Sequence, residues 1–239
     1  MGSYGSPTDI GLFRMAHRLL NIPVGLLANA LRPIFFQTAA QEGFKSLEPL
    51  IFRTFSLVAK ISPPILMIFI LEAPGILAFC FGENWRSSGT YASILAFPMF
   101  LLAVTNWLDR GFDSLGQQKL SFHLEILFSV TSMAGWFLGL VILKDVRAAA
   151  LLIAVCWSLY YLLWTWTLFH RGKFDLKPYR LLLLQFLIEC LLFLGLWAGL
   201  TLILGKGVAT LIYTIATALF LSRYLRAGLQ LQKGLRKKL

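Results

Sequence analysis

The chain has 239 residues, of which 58% are hydrophobic and only 14% are charged, and its formal net charge is +11. Soluble domains carry about a quarter charged residues, so this composition excludes an ordinary soluble protein. The positive charge does not indicate nucleic-acid binding, because the basic residues concentrate in the connections between apolar segments and near the C-terminus. Cys80, Cys156 and Cys190 are widely separated and odd in number, so neither a disulfide framework nor a metal site is predicted.

Seven apolar segments predict membrane-spanning helices, each near the roughly 20 residues that a bilayer core requires. They are residues 11–36, 52–71, 91–108, 121–143, 148–169, 181–204 and 208–225. The predicted fold is therefore all-α, a polytopic transmembrane helix bundle without a soluble domain. Between the second and third segments, the sequence from Glu72 to Gly75 contains Pro74 and predicts a helix break. Residues 76–81 are then expected to form a short interfacial turn.

Basic charge alternates along the connections. One set of connections and the C-terminal tail hold most of it, at Lys45, Arg53, Arg110, Lys119, Arg171, Lys173, Lys177, Arg180 and residues 223–238. The opposite set holds only Arg86, Lys144, Arg147 and Lys206. By the positive-inside rule, the N-terminus is predicted to lie outside and the C-terminus in the cytoplasm, which agrees with an odd number of helices. Residues 1–10 contain no Lys or Arg, so they lack the basic region of a signal peptide.

A polar stripe runs along the otherwise apolar first segment. At about 100° per residue, its members lie within roughly 60° of the bearing shared by Arg14 and Arg32. The cationic stripe comprises Arg14, His17, Arg18, Asn21, Asn29 and Arg32. Arginine at membrane depth usually faces a bundle interior or a water-filled cavity, so the stripe predicts an inner surface that binds phosphate or carboxylate groups. Alternatively, the arginines near its two ends, separated by roughly 27 Å, snorkel to the two interfaces.

Two acidic residues inside later segments are candidates for ion coupling. Glu125 is a candidate proton or cation site, or an ion-pair partner for Arg14 or Arg18. Glu189, one turn after Gln185, is the second candidate. The small residues of the same helix as Glu125, which are Ser129, Ser132 and Gly139, predict a close helix–helix contact. Because paired-acid, phosphate-loop, nucleophile-elbow and HExxH motifs do not occur, neither an enzyme nor a bound cofactor or metal is predicted.

Four stretches of the chain resemble motifs of one family. Residues 9–23 (DIGLFRMAHRLLNIP) resemble the helix opening "GlY-x-x-A-x-R-L-x-x-x-P" of bacterial polysaccharide flippases. Residues 81–89 (FGENWRSSG) are similar to their outer-face segment, 91–95 (YASIL) to the start of the next helix, and 113–120 (DSLGQQKL) to a cytoplasmic loop. These proteins are O-antigen and lipid-linked oligosaccharide flippases of the multidrug/oligosaccharidyl-lipid/polysaccharide exporter superfamily. Order and spacing match over about residues 9–143, although Phe13 stands where the family usually has Tyr.

The resemblance implies two helical lobes around a cationic cavity that passes undecaprenyl-pyrophosphate-linked glycans across the bacterial inner membrane. Arg14 and Arg18 would face that cavity. The family has about twice as many helices, so residues 1–239 correspond to a single domain, the second lobe without its first helix. Residues 181–225 would be an additional helix pair, and residues 226–239 a basic cytoplasmic tail.

The partners expected from this resemblance are an anionic lipid-linked glycan, membrane lipid, and either a missing N-terminal lobe or a second copy of the chain. Nucleic acid is not expected. The alternatives are a non-transporting membrane subunit, a truncated remnant, or a small-molecule exporter of the related multidrug type. The cationic stripe argues against an exporter of cationic cargo.

Overall fold

The computed structural model describes residues 7–205, 207–220 and 222. Its helices are α1 (Pro7–Glu42), α2 (Glu48–Phe81), α3 (Arg86–Thr105), α4 (Gly111–Ser114), α5 (Gln118–Phe137), α6 (Val146–Arg171), α7 (Lys177–Leu204) and α8 (Gly207–Phe220). No strand occurs in these ranges, which confirms the all-α prediction. Six helical stretches are long and apolar enough to cross a membrane, and α8 is a shorter apolar helix. The predicted end of the seventh helix, beyond residue 222, and the basic tail at 226–239 lie outside the described residues.

The predicted break between Glu72 and Gly75 is wrong. Helix α2 continues through Pro74 to Phe81, so residues 76–81 are its last turns and not a separate interfacial turn. Membrane helices tolerate proline where neighbouring groups compensate for the lost hydrogen bond. Here Ala73 is fully buried against α3, and this packing holds the segment in place. The helix ends at Gly82, whose φ of 98° lies in the region that favours glycine.

Helix α3 occupies the centre of the bundle. It packs against α1, α2 and α6, while α5 packs on α6 and α7 packs on α2. Its side chains Tyr91, Leu95 and Met99 are buried in the core between α1, α2 and α6. Each of the other long helices from α1 to α7 therefore contacts α3 or a neighbour of α3, and these contacts define its rotation.

The connections that carry basic charge meet at one end of the bundle. The Lys45 ammonium donates to the backbone carbonyl of Lys173, and the backbone amide of Asp175 donates to Glu48 Oε1 at 2.6 Å. The Tyr179 ring also contacts Phe52, with ring centroids 5.6 Å apart. These contacts join the α1–α2 and α6–α7 connections, and we call this end of the bundle the basic end.

Two of the three small residues for which a close helix–helix contact is predicted pack on α6: Ser132 of α5 and Gly139 of the helical turn Leu138–Ile142 that continues it. A Cβ on Gly139 would lie 2.2 Å from Ala149 Cα, so the two backbones touch. Ser132 Oγ accepts a hydrogen bond from Trp157 Nε1 at 3.1 Å. Ser129, by contrast, is exposed.

Candidate functional site

The rotation of α1 is set by its apolar side. Phe13, Ala16, Leu20 and Val24 are buried in the core around α3. The Ser88 hydroxyl of α3 donates to the backbone carbonyl of Leu12 at 2.9 Å. With this side committed to packing, the polar residues of α1 are directed away from the core.

The cationic stripe consequently lies mostly on the surface of the described chain. Arg14, Arg18, Asn21 and Asn29 are exposed, and His17 and Arg32 are half-buried. No ion pair to Arg14 or Arg18 occurs among the described residues. The structure thus leaves two guanidinium groups, one helical turn apart, on an open face of a membrane-spanning helix.

His17 connects the stripe to α5 and α6. Its ring contacts Trp157 edge-on, with centroids 5.5 Å apart. Trp157 is the tryptophan that donates to Ser132, so one chain of contacts runs across three helices. The rings of Phe128 and Tyr160 contact each other beside it, with centroids 4.4 Å apart and planes tilted by 36°. One border of the stripe is therefore an aromatic wall.

Arg32 differs from the other arginines of the stripe because it has an acidic partner. Its Nη2 lies 3.0 Å from Asp109 Oδ2 and donates to the backbone carbonyl of Asn106 at 3.3 Å. Both side chains are a little over one-third exposed, at 37% and 38%. Arg32 therefore braces α1 against the segment that follows α3, and its charge is compensated inside the chain.

Glu125 is exposed and lines a small pocket of mixed polar and apolar character, to which Arg14 and Arg18 do not belong. The pocket has a volume of about 120 Å³ and is lined by residues at the end of α3 and on α5 and α6: Leu102, Thr105, Asn106, Asp109, Glu125, Tyr160, Tyr161 and Trp164. Among the described residues Glu125 forms no ion pair. A cavity of this size holds a few water molecules or a small cation.

Glu189, the second acidic candidate, lies on α7. It is half-buried, its Oε1 accepts a hydrogen bond from Gln185 Nε2 at 2.9 Å, and its Oε2 is buried with no hydrogen-bond partner in the described part of the chain. Because α7 packs on α2 whereas the stripe is on α1, the structure does not join Glu189 to the stripe.

The sequence interpretation overlooked two ionisable residues in the membrane-spanning part of α2. Glu72, only 5% exposed, accepts a hydrogen bond from Trp197 Nε1 at 3.0 Å and so ties α2 to α7. Lys60 is half-buried and has no ion pair among the described residues. The sequence does contain the signal that could have identified both residues, since any charged residue inside an apolar segment marks a candidate site. Glu72 was instead interpreted as part of a helix break.

Comparison with known proteins bears on the part of the chain that carries the stripe. Residues 1–90 match a family model described as "Polysaccharide biosynthesis protein". The matched range contains α1, α2 and the beginning of α3, including all six stripe residues. No curated protein matches the chain. Together with its membrane-spanning helices, the match supports a membrane protein with a transport role in polysaccharide biosynthesis.

Proposed function

We propose that the chain is one lobe of a flippase that moves undecaprenyl-pyrophosphate-linked oligosaccharide or polysaccharide units across the bacterial inner membrane. The observation that carries this proposal is the exposed cationic stripe within the range that matches the polysaccharide family. An arginine without a counter-charge is energetically unfavourable when it faces lipid. We therefore expect a polar or anionic group to cover this face of α1. An anionic glycan carrier in a cavity between two lobes would provide one.

Arg14 and Arg18 are assigned the pyrophosphate of the carrier. They lie one turn apart on one face of α1, and residues at this spacing are separated by about 6 Å along the helix. Both side chains can therefore reach the same anion. Guanidinium groups bind phosphate oxygens through paired, charge-assisted hydrogen bonds. His17, Asn21 and Asn29 are polar groups that can contact adjacent head-group or sugar atoms, while Arg32 supports the face through Asp109.

Transport in this proposal proceeds by alternating access. A second lobe, from another polypeptide or a second copy of this chain, faces the stripe and alternately opens the cavity to each side of the membrane. The pocket with Glu125 and Asp109 is the proposed place for a coupling proton or cation, because it brings two carboxylates to the border of the stripe. The proposal assigns the chain transport and no catalytic step.

The orientation belongs to the same proposal. The basic end would face the cytoplasm, with the beginning of α1 outside, since the connections rich in Lys and Arg gather at that end. Arg14 and Arg18 would then lie toward the outer side of the membrane, where a carrier is released after crossing.

The double variant Arg14→Ala/Arg18→Ala is expected to lower glycan export about tenfold or more in cells whose export depends on this chain, since a charged contact contributes about 1.5–3 kcal/mol. Surface glycan per cell is the measurement, normalised to the amount of chain in the membrane. Arg147→Ala is the matched control, because Arg147 is an exposed arginine outside the stripe. Arg14→Lys/Arg18→Lys should retain part of the export, because charge persists without the planar fork.

Normal export by the double alanine variant at wild-type abundance would remove the stripe from the transport mechanism. Unchanged export on deletion of the whole chain would instead favour a non-transporting membrane subunit.

A further inference from the structure

A groove separates α1 from α2 in the middle of the bundle. Both helices pack on α3, and the space between them has a volume of about 480 Å³. Leu20 and Val24 line it from α1, Val58 and Ile65 from α2, and Met99 and Ala103 from α3. The α2 residues that line it run from Leu57 to Phe69, at least nine residues from either end of that helix. The groove therefore lies at the depth of the hydrocarbon core.

The lining offers water almost nothing to bind. Of the described residues that form it, Ser62 has the one polar side chain, and its hydroxyl already donates to the backbone carbonyl of Val58 at 2.6 Å. A volume of this size is far larger than the ~10–15 Å³ that one water molecule requires. The groove thus has the chemistry and the capacity for a segment of one hydrocarbon chain.

The groove and the cationic stripe lie on opposite flanks of the same helix. At about 100° per residue, the groove residues of α1 centre roughly 150° from the bearing of Arg14. Ile22 and Leu26 lie between the two flanks on the outer side of α1, where they are 56% and 69% exposed. An apolar path therefore leads from the stripe, across the outer side of α1, into the groove.

Stripe and groove are also at compatible heights. The groove residues of α1 begin at Leu19 and end at Leu27, just below Arg14 and Arg18 along the helix. An anionic head group at Arg18 would have its chain enter the groove within about two turns, or ~11 Å. Positive charge on one flank of α1 and an apolar groove on the other together complement a lipid with one anionic head and one chain.

We propose that this groove binds a segment of the polyprenyl chain of the anionic carrier lipid, so that α1 holds the head group on one flank and part of the chain on the other. This inference rests on the proposed function and adds where the lipid part of the substrate lies. The surrounding lipid tails are as apolar as the groove, so the hydrophobic effect does not favour entry from the bilayer. Retention comes from close packing of a single chain together with the charge of the stripe.

The test uses the full-length chain in detergent, titrated with undecaprenyl phosphate and followed by native mass spectrometry. Dioleoyl phosphatidic acid is the comparison lipid, because it has a similar head charge but two acyl chains. One bound undecaprenyl phosphate per chain is expected, with an affinity about tenfold or more above that for phosphatidic acid. Equal affinity for the two lipids would overturn the proposal, since the groove would then hold ordinary membrane lipid.

Variants locate the binding. Ala103→Phe fills the floor of the groove and should weaken undecaprenyl phosphate binding by about tenfold or more. Ser62→Leu places a larger side chain on the α2 wall and so narrows the groove. It is the second variant if Ala103→Phe does not fold. Ala218→Phe, on an exposed position of α8, is the matched control and should bind as the wild type does. Wild-type affinity in both groove variants, with unchanged helical circular dichroism, would refute the groove as the site.

The two proposals fail in different ways. Suppose that neither groove variant weakens undecaprenyl phosphate binding, while glycan export still depends on Arg14 and Arg18. This result would refute the chain-binding site alone. Specific undecaprenyl phosphate binding by a chain whose deletion leaves export intact would refute transport and leave the groove established.

Discussion

Replacing Gly89 by alanine should separate α2 from α3 where the two helices touch. Gly89 of α3 lies directly on the backbone of α2, where an added Cβ would be 2.3 Å from Pro74 Cα and 2.5 Å from Ala73 O. Both neighbours are backbone atoms, so no side chain can rotate away. Non-bonded carbon atoms prefer about 3.5–4.0 Å, and α2 and α3 would therefore have to move apart by about 1.2 Å at this point.

The cost follows from what surrounds the contact. Ala73 and Ser88 are fully buried, and Ala92 is 1% exposed, so the gap opens inside close packing. A gap of about 0.5–1 Å forfeits a quarter to a half of each dispersion contact, and overpacking typically costs about 1–3 kcal/mol. Alanine regains up to about 1 kcal/mol of helix propensity over glycine. Because the clash is between backbones, we expect a value near the upper end and a net loss of about 2 kcal/mol.

The assay is reversible unfolding of the purified chain in mixed micelles by increasing dodecyl sulfate, followed by far-ultraviolet circular dichroism. Gly199→Ala on α7 is the matched control, because nothing lies within 4 Å of a Cβ added there. This control should be as stable as the wild type or gain up to about 1 kcal/mol. A Gly89→Ala chain at least as stable as the wild type would refute the close α2–α3 contact.

Two further predictions concern orientation and the buried carboxylate of α2. Cys80 is exposed at the end of α2 away from the basic end. A membrane-impermeant maleimide should therefore label it in intact spheroplasts and fail to label Cys80→Ser, and labelling that requires lysis would reverse the proposed orientation. Trp197→Phe removes the donor to the buried Glu72 carboxylate and should cost about 1–3 kcal/mol in the same unfolding assay. Replacing both partners, with Glu72→Met added, should recover much of that loss. Unchanged stability of Trp197→Phe would contradict the hydrogen bond.

Part of the site could be predicted because it depends on one helix alone. The positions of Arg14, Arg18, Asn21 and Asn29 around α1 follow from helical geometry, and so does their separation from the apolar residues that pack on α3. The tertiary contacts of each residue could not be predicted from the geometry of one helix. Arg32 meets the backbone of Asn106, 74 residues away in sequence, and Glu125 lies in a pocket with Asp109 instead of with Arg14 or Arg18.

The all-α class and the approximate spans were determined by the sequence itself, because an apolar run of about 20 residues satisfies its own backbone hydrogen bonds only as a helix in a membrane. The continuity of α2 through Pro74, the Glu72–Trp197 hydrogen bond and the groove between α1 and α2 were decided only by the tertiary structure. Each depends on how α3 and α7 are rotated and shifted against α2, and Glu72 and Trp197 are 125 residues apart. Such rotations arise from close packing between distant segments, which the periodicity of one segment does not contain.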